Sequence, residues 1–221
     1  MQTRSIIITA GGIGKRMGAD QPKQFLELLG RPVLIHTLER LYHFAPDSQL
    51  VLTLPEQYIE DWKLLCSQYD CHIDHTIVAG GIERYHSIKN ALSVCTGNLI
   101  AVHDGVRPLV SRATIERLFD AAIHFSAVIP VVEVKESLRE IVGEQSKSVT
   151  RSAYRIVQTP QVFHATIIRA AYTIDFHSAI TDDASLVEES GVHIHLVDGN
   201  EENIKITTPS DLAVALLFLG N

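Results

Sequence analysis

Ile6-Ile7-Ile8 sets the terms for this chain. Three consecutive β-branched apolar residues leave no polar face, so a strand built on them must be covered on both sides. That is the condition of a parallel sheet with helices above and below it. The pattern repeats: continuous apolar runs at 50–54, 76–79, 99–102 and 127–132 alternate with segments of helical spacing. Leu34, Leu38 and Leu41 mark one helix within 33–44, and Ile59, Trp62 and Leu65 another within 56–69. Further helices are expected at 87–95 and 114–125. The alternation predicts an α/β fold, a mostly parallel twisted sheet flanked by helices and joined by right-handed crossovers. Loops at the carboxyl ends of the strands would then carry any ligand site.

After residue 132 the pattern changes. The stretches 135–142 and 148–157 read as extended arms around a polar turn at 143–147, a protruding β-hairpin. A lone hairpin is marginal in water, so its apolar side is expected against the parent domain or a second subunit. Helices follow at about 164–175 and 182–190, strands near 192–197 and 204–206, and a closing helix capped by Thr208 or Ser210. With no repeat or linker, the 221 residues are read as a single domain, 1–221, with an arm excursion at about 133–158.

Composition narrows the function. Apolar residues at 46% and charged residues at 20% suit a folded soluble chain. A formal charge of −7 disfavours nucleic acid or an anionic membrane as a main partner, so any anion site has to be local. Cys66, Cys71 and Cys95 are odd in number and lack C-x-x-C spacing, which fits a reduced, cytoplasmic protein better than a disulfide framework or a thiolate zinc site. The stretch before Gly11 is too short for a signal-peptide core, and 212–219 too short to span a bilayer. The 11 histidines, including His72 with His75 and His193 with His195, are read as packing or surface residues.

One loop stands out chemically: Ala10-Gly11-Gly12-Ile13-Gly14-Lys15-Arg16-Met17-Gly18, directly after the first strand. Four glycines in nine residues let backbone N–H groups converge on one point, and Lys15, Arg16 and Lys23 add formal charge. Such a loop suits a polyanion. It is not a P-loop, because Arg16 follows Gly14-Lys15 and Thr9 stands where the first glycine belongs. The dinucleotide fingerprint also fails at its third glycine, where Met17 stands.

What remains, Gly-Gly-x-Gly-x-Arg-Met followed by Pro22-Lys23-Gln24, resembles the nucleotidyltransferases that join an NTP to a phosphorylated sugar or polyol. The resemblance is closer to the 2-C-methyl-D-erythritol 4-phosphate cytidylyltransferases, and it continues through Gly80-Gly81-Ile82-Glu83-Arg84 with Ser87, His103-Asp104-Gly105-Val106-Arg107-Pro108, Gln158-Thr159-Pro160-Gln161, Thr181-Asp182-Asp183-Ala184-Ser185 and Asn203-Ile204-Lys205-Ile206-Thr207. It implies a Rossmann-like nucleotidyltransferase fold, CTP and a polyol phosphate as substrates, and a Mg²⁺ carried mainly by nucleotide oxygens, with no side-chain metal site assigned. It assigns Arg16 and Lys23 to the triphosphate, Lys205 to the α-phosphate, and Asp104 to a place between nucleotide and acceptor. Ala10, Gly11, Gly12, Gly14, Lys15, Gly80, Gly81, Ser87 and Gly105 are implied around the nucleotide. Arg107, Thr159 and Thr181, with Ser137 and Arg151 from a partner's arm, are implied around the acceptor, so that a homodimer completes the site.

Three positions depart from the pattern. Lys15 stands where Arg is common, Ile82 where a polar residue is common, and Ser137 where Thr is common. Lys keeps the charge without the bidentate fork, Ser keeps the hydroxyl, and Ile82 is left only its backbone. Val106 is also found in ribitol-5-phosphate cytidylyltransferases, which keeps that acceptor as the alternative; Arg151 and Ala184-Ser185 favour methylerythritol phosphate.

Overall fold

A computed structural model describes residues 2–11 and 22–219. The strand Arg4–Thr9 (β1) is central, paired in parallel with Ser48–Leu54 on one side and Leu99–Asp104 on the other. Ile6 and Ile8 face one hydrophobic core and Ile7 the opposite one, all at 1% exposure or less. The unbroken apolar run is thus explained by burial on both faces.

In chain order the elements after β1 are Glu27–Leu28 (β2), Arg31–Pro32 (β3), Val33–Phe44 (α1), Ser48–Leu54 (β4), Ile59–Gln68 (α2), Thr76–Ala79 (β5), Arg84–Leu92 (α3), Leu99–Asp104 (β6), Arg112–Ala121 (α4) and Ala127–Glu133 (β7). Then come Arg139–Val142 (β8), Gln145–Ser148 (β9), Arg155–Val157 (β10), Gln161–His164 (β11), Ala165–Ala171 (α5), Asp183–Glu189 (α6), His195–Asp198 (β12) and Pro209–Leu219 (α7). The main sheet runs β10-β7-β11-β6-β1-β4-β5, with β12 on β7. One core holds α1, α2 and α4 against the sheet, and the other holds α3, α5 and α6. In α1, Leu34, Leu38 and Leu41 are fully buried, as their spacing requires; each such side chain contributes about 2 kcal/mol of burial.

Several local expectations need correction. Helix α3 begins at Arg84, earlier than 87, which puts Arg84 and Ser87 in its first turn. Helix α4 starts at Arg112 because the Ser111 side chain accepts from Thr114 N and caps it. Strand β11 was not anticipated and runs antiparallel to both β6 and β7. Its first residue is Gln161, a buried amide satisfied by Asp182 Oδ2 and Ala184 N at the start of α6, so no apolar run marks it. The stretch 204–206 forms no strand, although Ile206 N donates to Val106 O at 2.9 Å.

The arm also differs. Only β8 and β9 form the protruding hairpin, closed by Gly143-Glu144 with Gly143 at φ 60°, a two-residue turn rather than 143–147. The stretch after it does not continue as the second arm. A short 3-10 turn, Arg151–Ala153, leads into β10, which returns to the main sheet as an antiparallel partner of β7. Helix α7 is capped by Thr208, not Ser210: Thr208 Oγ1 accepts from Asp211 N while Asp211 Oδ2 accepts from Thr208 N.

Because β1, β4, β5 and β6 are mutually parallel, their carboxyl ends gather on one edge. That edge carries Ala10-Gly11, Gly80-Gly81 and Asp104. A third, smaller core of Leu28, Val33, Val106, Leu109, Ile206 and Ala215 anchors the 203–207 segment beside it.

Candidate active site

Strand β6 ends in His103-Asp104, both buried, and the ladder sets Asp104 opposite Thr9 at the end of β1. His103 is held at both ring nitrogens: Nε2 lies 3.0 Å from the Arg107 carbonyl, and Nδ1 lies 3.1 Å from Thr159 Oγ1. A carbonyl only accepts, so Nε2 carries the proton and Nδ1 accepts from the Thr159 hydroxyl. Thr159 Oγ1 in turn accepts from Asp104 N at 3.1 Å. Burial pushes the imidazole down to about 4, so it stays neutral and supports the turn that presents Asp104.

The Asp104 carboxylate is ringed by cations from three segments. Its Oδ2 lies 3.0 Å from Lys205 Nζ and 3.2 Å from Arg107 Nε, and its Oδ1 lies 3.7 Å from Arg84 Nε. Burial alone would raise its pKa, but Arg84, Lys205 and Arg107 overcome that and hold it well below the usual carboxylate range. Arg107 Nη1 also donates to Asn203 O at 2.7 Å, which ties the Lys205 segment to the loop after β6.

Next to this cluster lies a cavity of about 440 Å³, lined by Ala10, Gly11, Lys23, Gly81, Ser87, Asp104, Lys205 and neighbours. Its floor is shaped by small groups. Ser87 Oγ donates to Glu83 O and accepts from Gly81 N at 3.0 Å, bending the 80–83 loop back on α3. At Gly81 a Cβ would stand 2.3 Å from His86 Cβ, so any side chain would displace the loop. At Gly105 it would meet Leu34 Cδ1 at 2.9 Å, so glycine lets this loop lie directly on α1. Gln24, buried and on the same wall, donates to Ala10 O at 2.7 Å and fixes Lys23 beside the end of β1.

The structure therefore brings together Ala10, Gly11, Lys23, Gly81, Ser87, Asp104 and Lys205, with Gly80 and Gly105 packed behind them. Gly12, Gly14, Lys15 and Arg16 lie outside the described residues. Arg107 and Thr159 stand behind Asp104 rather than on the cavity lining; the Thr159 hydroxyl is occupied by His103 and Asp104. Thr181 is exposed just before α6, and its N–H donates to Ser185 Oγ. Ser137 and Arg151 are exposed on the arm, away from their own chain's cavity lining, with Arg151 Nη1 donating to Lys135 O. Ile82 is 94% exposed at the cavity mouth, which leaves its backbone as the useful part.

Two residues escaped sequence reasoning. Arg84 lines the cavity, and its Nη2 lies 2.7 Å from Asp183 Oδ2, a carboxylate with no exposure. Burial opposes its charge, but Asp183 and Asp104 hold it charged, with its pKa raised. Both residues sit inside motifs read from the sequence; their pairing across 99 positions does not show in spacing.

Comparisons with known proteins agree with this geometry. The family model for 2-C-methyl-D-erythritol 4-phosphate cytidylyltransferase matches residues 5–221. The proteins of that name from Bacteroides thetaiotaomicron and Porphyromonas gingivalis are 46% and 48% identical, over 98% and 99% of this chain and 99% and 98% of theirs. Among solved structures, 4-diphosphocytidyl-2C-methyl-D-erythritol synthase from Anaerococcus prevotii superimposes with a TM-score of 0.84 at 28% identity, covering 100% of this chain and 97% of that one. The Thermus thermophilus cytidylyltransferase gives 0.78 at 29% identity with both chains fully covered, at 100%. The chain belongs to the 2-C-methyl-D-erythritol 4-phosphate cytidylyltransferase family.

Proposed function

We propose that the protein transfers CMP from CTP to 2-C-methyl-D-erythritol 4-phosphate, giving 4-diphosphocytidyl-2-C-methyl-D-erythritol and pyrophosphate, a step of non-mevalonate isoprenoid precursor synthesis. The observation that carries this reading is the cavity itself: Lys23, Arg84 and Lys205 converge from separate segments beside one ionised carboxylate, next to a floor of small residues.

The acceptor phosphate is already an anion near neutral pH, so it attacks the α-phosphorus of CTP without a strong general base. A new P–O bond forms there, and the bond to the β-phosphate oxygen breaks as pyrophosphate leaves. The obstacle is repulsion between phosphates, which positive charge offsets. Lys205 rests on Asp104 at 3.0 Å and is 42% exposed, placed to turn toward an α-phosphate. Lys23 faces the same space and is assigned to the triphosphate with Arg16. Asp104 keeps Arg107 and Lys205 aligned between nucleotide and acceptor.

Mg²⁺ enters this scheme as the counter-ion of CTP, supplying charge neutralisation on the phosphate oxygens. The cavity's own donor set fits that limited role. Asp104 Oδ2 is engaged by two cations, while Oδ1, 3.7 Å from Arg84, is the oxygen that would face a hydrated ion.

The arm supports a homodimer. Ile141, Val142, Tyr154, Ile156 and Val157 are 39–72% exposed on the hairpin and the strand beside it, more apolar surface than such a segment keeps in water. A second copy covering this face would bring Ser137 and Arg151 to its neighbour's acceptor site. Among the described residues no helix is long and apolar enough to cross a membrane, and the free cysteines fit a reducing cytoplasm.

Incubation with CTP, Mg²⁺ and either methylerythritol 4-phosphate or ribitol 5-phosphate tests the assignment through pyrophosphate release. Faster turnover of ribitol phosphate would reverse the acceptor. No release with either would end the proposal.

A further inference from the structure

Arg84 reaches the cavity but is anchored behind it. Its Nη2 lies 2.7 Å from Asp183 Oδ2, and the other Asp183 oxygen accepts from the Tyr172 hydroxyl at 2.5 Å. Both oxygens of a fully buried carboxylate are thereby committed. The same two partners are braced a second time. Tyr85, next to Arg84 in sequence, stacks on Tyr172 at 4.9 Å and 20°, and its hydroxyl donates to the Ile174 carbonyl at 2.5 Å while lying 3.0 Å from the Tyr172 carbonyl.

A buried ion pair adds little net stability over apolar packing of the same volume. Its location is what calls for a role: the guanidinium spans Asp183 at the start of α6 and Asp104 at the end of β6. We propose that Asp183 and Tyr172 form a buried positioning pair that holds Arg84 back from Asp104, and so keeps the Asp104 carboxylate turned toward Lys205 and Arg107 for the phosphate-transfer step. The inference rests on the cytidylyltransferase reading above. Without the anchor, Asp104 is the carboxylate left within reach of Arg84. Closing the 3.7 Å gap would draw Oδ1 toward Arg84 and rotate Oδ2 away from the two cations it now aligns.

The hydroxyl deletion Tyr172→Phe tests this with little loss of volume. Removing a hydrogen bond to a charged group should lower kcat on the order of 10-fold while leaving the KM for CTP within about 2-fold. In an Arg84→Gln background the same deletion should cost nothing further, because the residue it acts through is gone. Solvent exchange of the Arg84 Nε–H, the group that would close on Asp104 Oδ1, read in ¹H–¹⁵N spectra of the single variant, should fall about 10-fold in parallel. An equal loss of kcat in both backgrounds would overturn the proposal, as would unchanged kcat with unchanged exchange. If the unmutated protein turns over CTP with neither acceptor, the cytidylyltransferase reading fails. The anchor is then judged by exchange, where no change overturns it. Should Arg84→Gln fail to fold, exchange in Tyr172→Phe decides in the same way.

Discussion

Acidification probes the network that presents Asp104. His103 has no exposure, donates from Nε2 to the Arg107 carbonyl and accepts at Nδ1 from Thr159, so a second proton has no partner waiting for it. Burial moves its pKa from 6.5 to about 4. Below pH 6.5 the unfolded chain gains a proton here that the folded chain refuses, so stability falls as pH drops, until about pH 4. The gap corresponds to about 3 kcal/mol. For a chain of this length that is a fall in Tm of roughly 6–12 °C. The informative quantity is the difference between the protein and His103→Gln, because that difference isolates this residue from every other group. The variant keeps a donor for the Arg107 carbonyl and cannot titrate. Melting both by circular dichroism from pH 7.5 to pH 4 should show the variant less stable at neutral pH, with the two curves converging by about 3 kcal/mol as acid is added. Parallel curves would refute the reasoning, because they would mean that His103 is protonated in the fold or rearranges without cost.

Three further outcomes are expected. Asp104→Asn should lower kcat on the order of 10²-fold by releasing Lys205 and Arg107 from a shared anchor; because the three cations hold the carboxylate ionised, steady-state rates of the unmutated enzyme should show no Asp104 titration between about pH 5 and 8. Gly81→Ala would push the loop off His86 and should raise the KM for CTP on the order of 10-fold with a smaller change in kcat, measured by varying CTP at saturating acceptor. Ile156→Lys places a charge on the exposed apolar strand beside the arm; light scattering should show the proposed dimer giving way to monomer, with activity falling in step, and an unchanged mass would refute that interface.

The layered architecture was legible because the central parallel strands β1, β4 and β6 are buried on both faces, and burial of that kind writes itself as largely apolar runs, to which the half-buried edge strand β5 adds a shorter one. Ile6-Ile7-Ile8, 50–54 and 76–79 all became strands, and 33–44 became a helix with the same bounds. Strand β11 was illegible for the converse reason. It opens on Gln161, whose amide is satisfied by Asp182 and Ala184, so hydrogen bonding from a distant segment replaced the hydrophobic signal. The arm was half legible: its polar turn is local chemistry, whereas the return of β10 to β7 is a pairing between segments that neither encodes alone.

The same division runs through the site. The chain by itself determined which residue types sit at strand ends, namely glycines where backbone has to lie close, lysines and arginines where a polyanion would bind, and Asp104 among them. It determined these because turn chemistry and burial period are local properties. Only the tertiary structure decided the partnerships. Lys205 and Arg107 share Asp104 Oδ2, Thr159 spends its hydroxyl on His103, and Arg84 hangs between Asp104 and a carboxylate 99 positions away. Charges interact through space with the strength that distance and burial allow, and neither quantity exists until the sheet has gathered its strand ends on one edge.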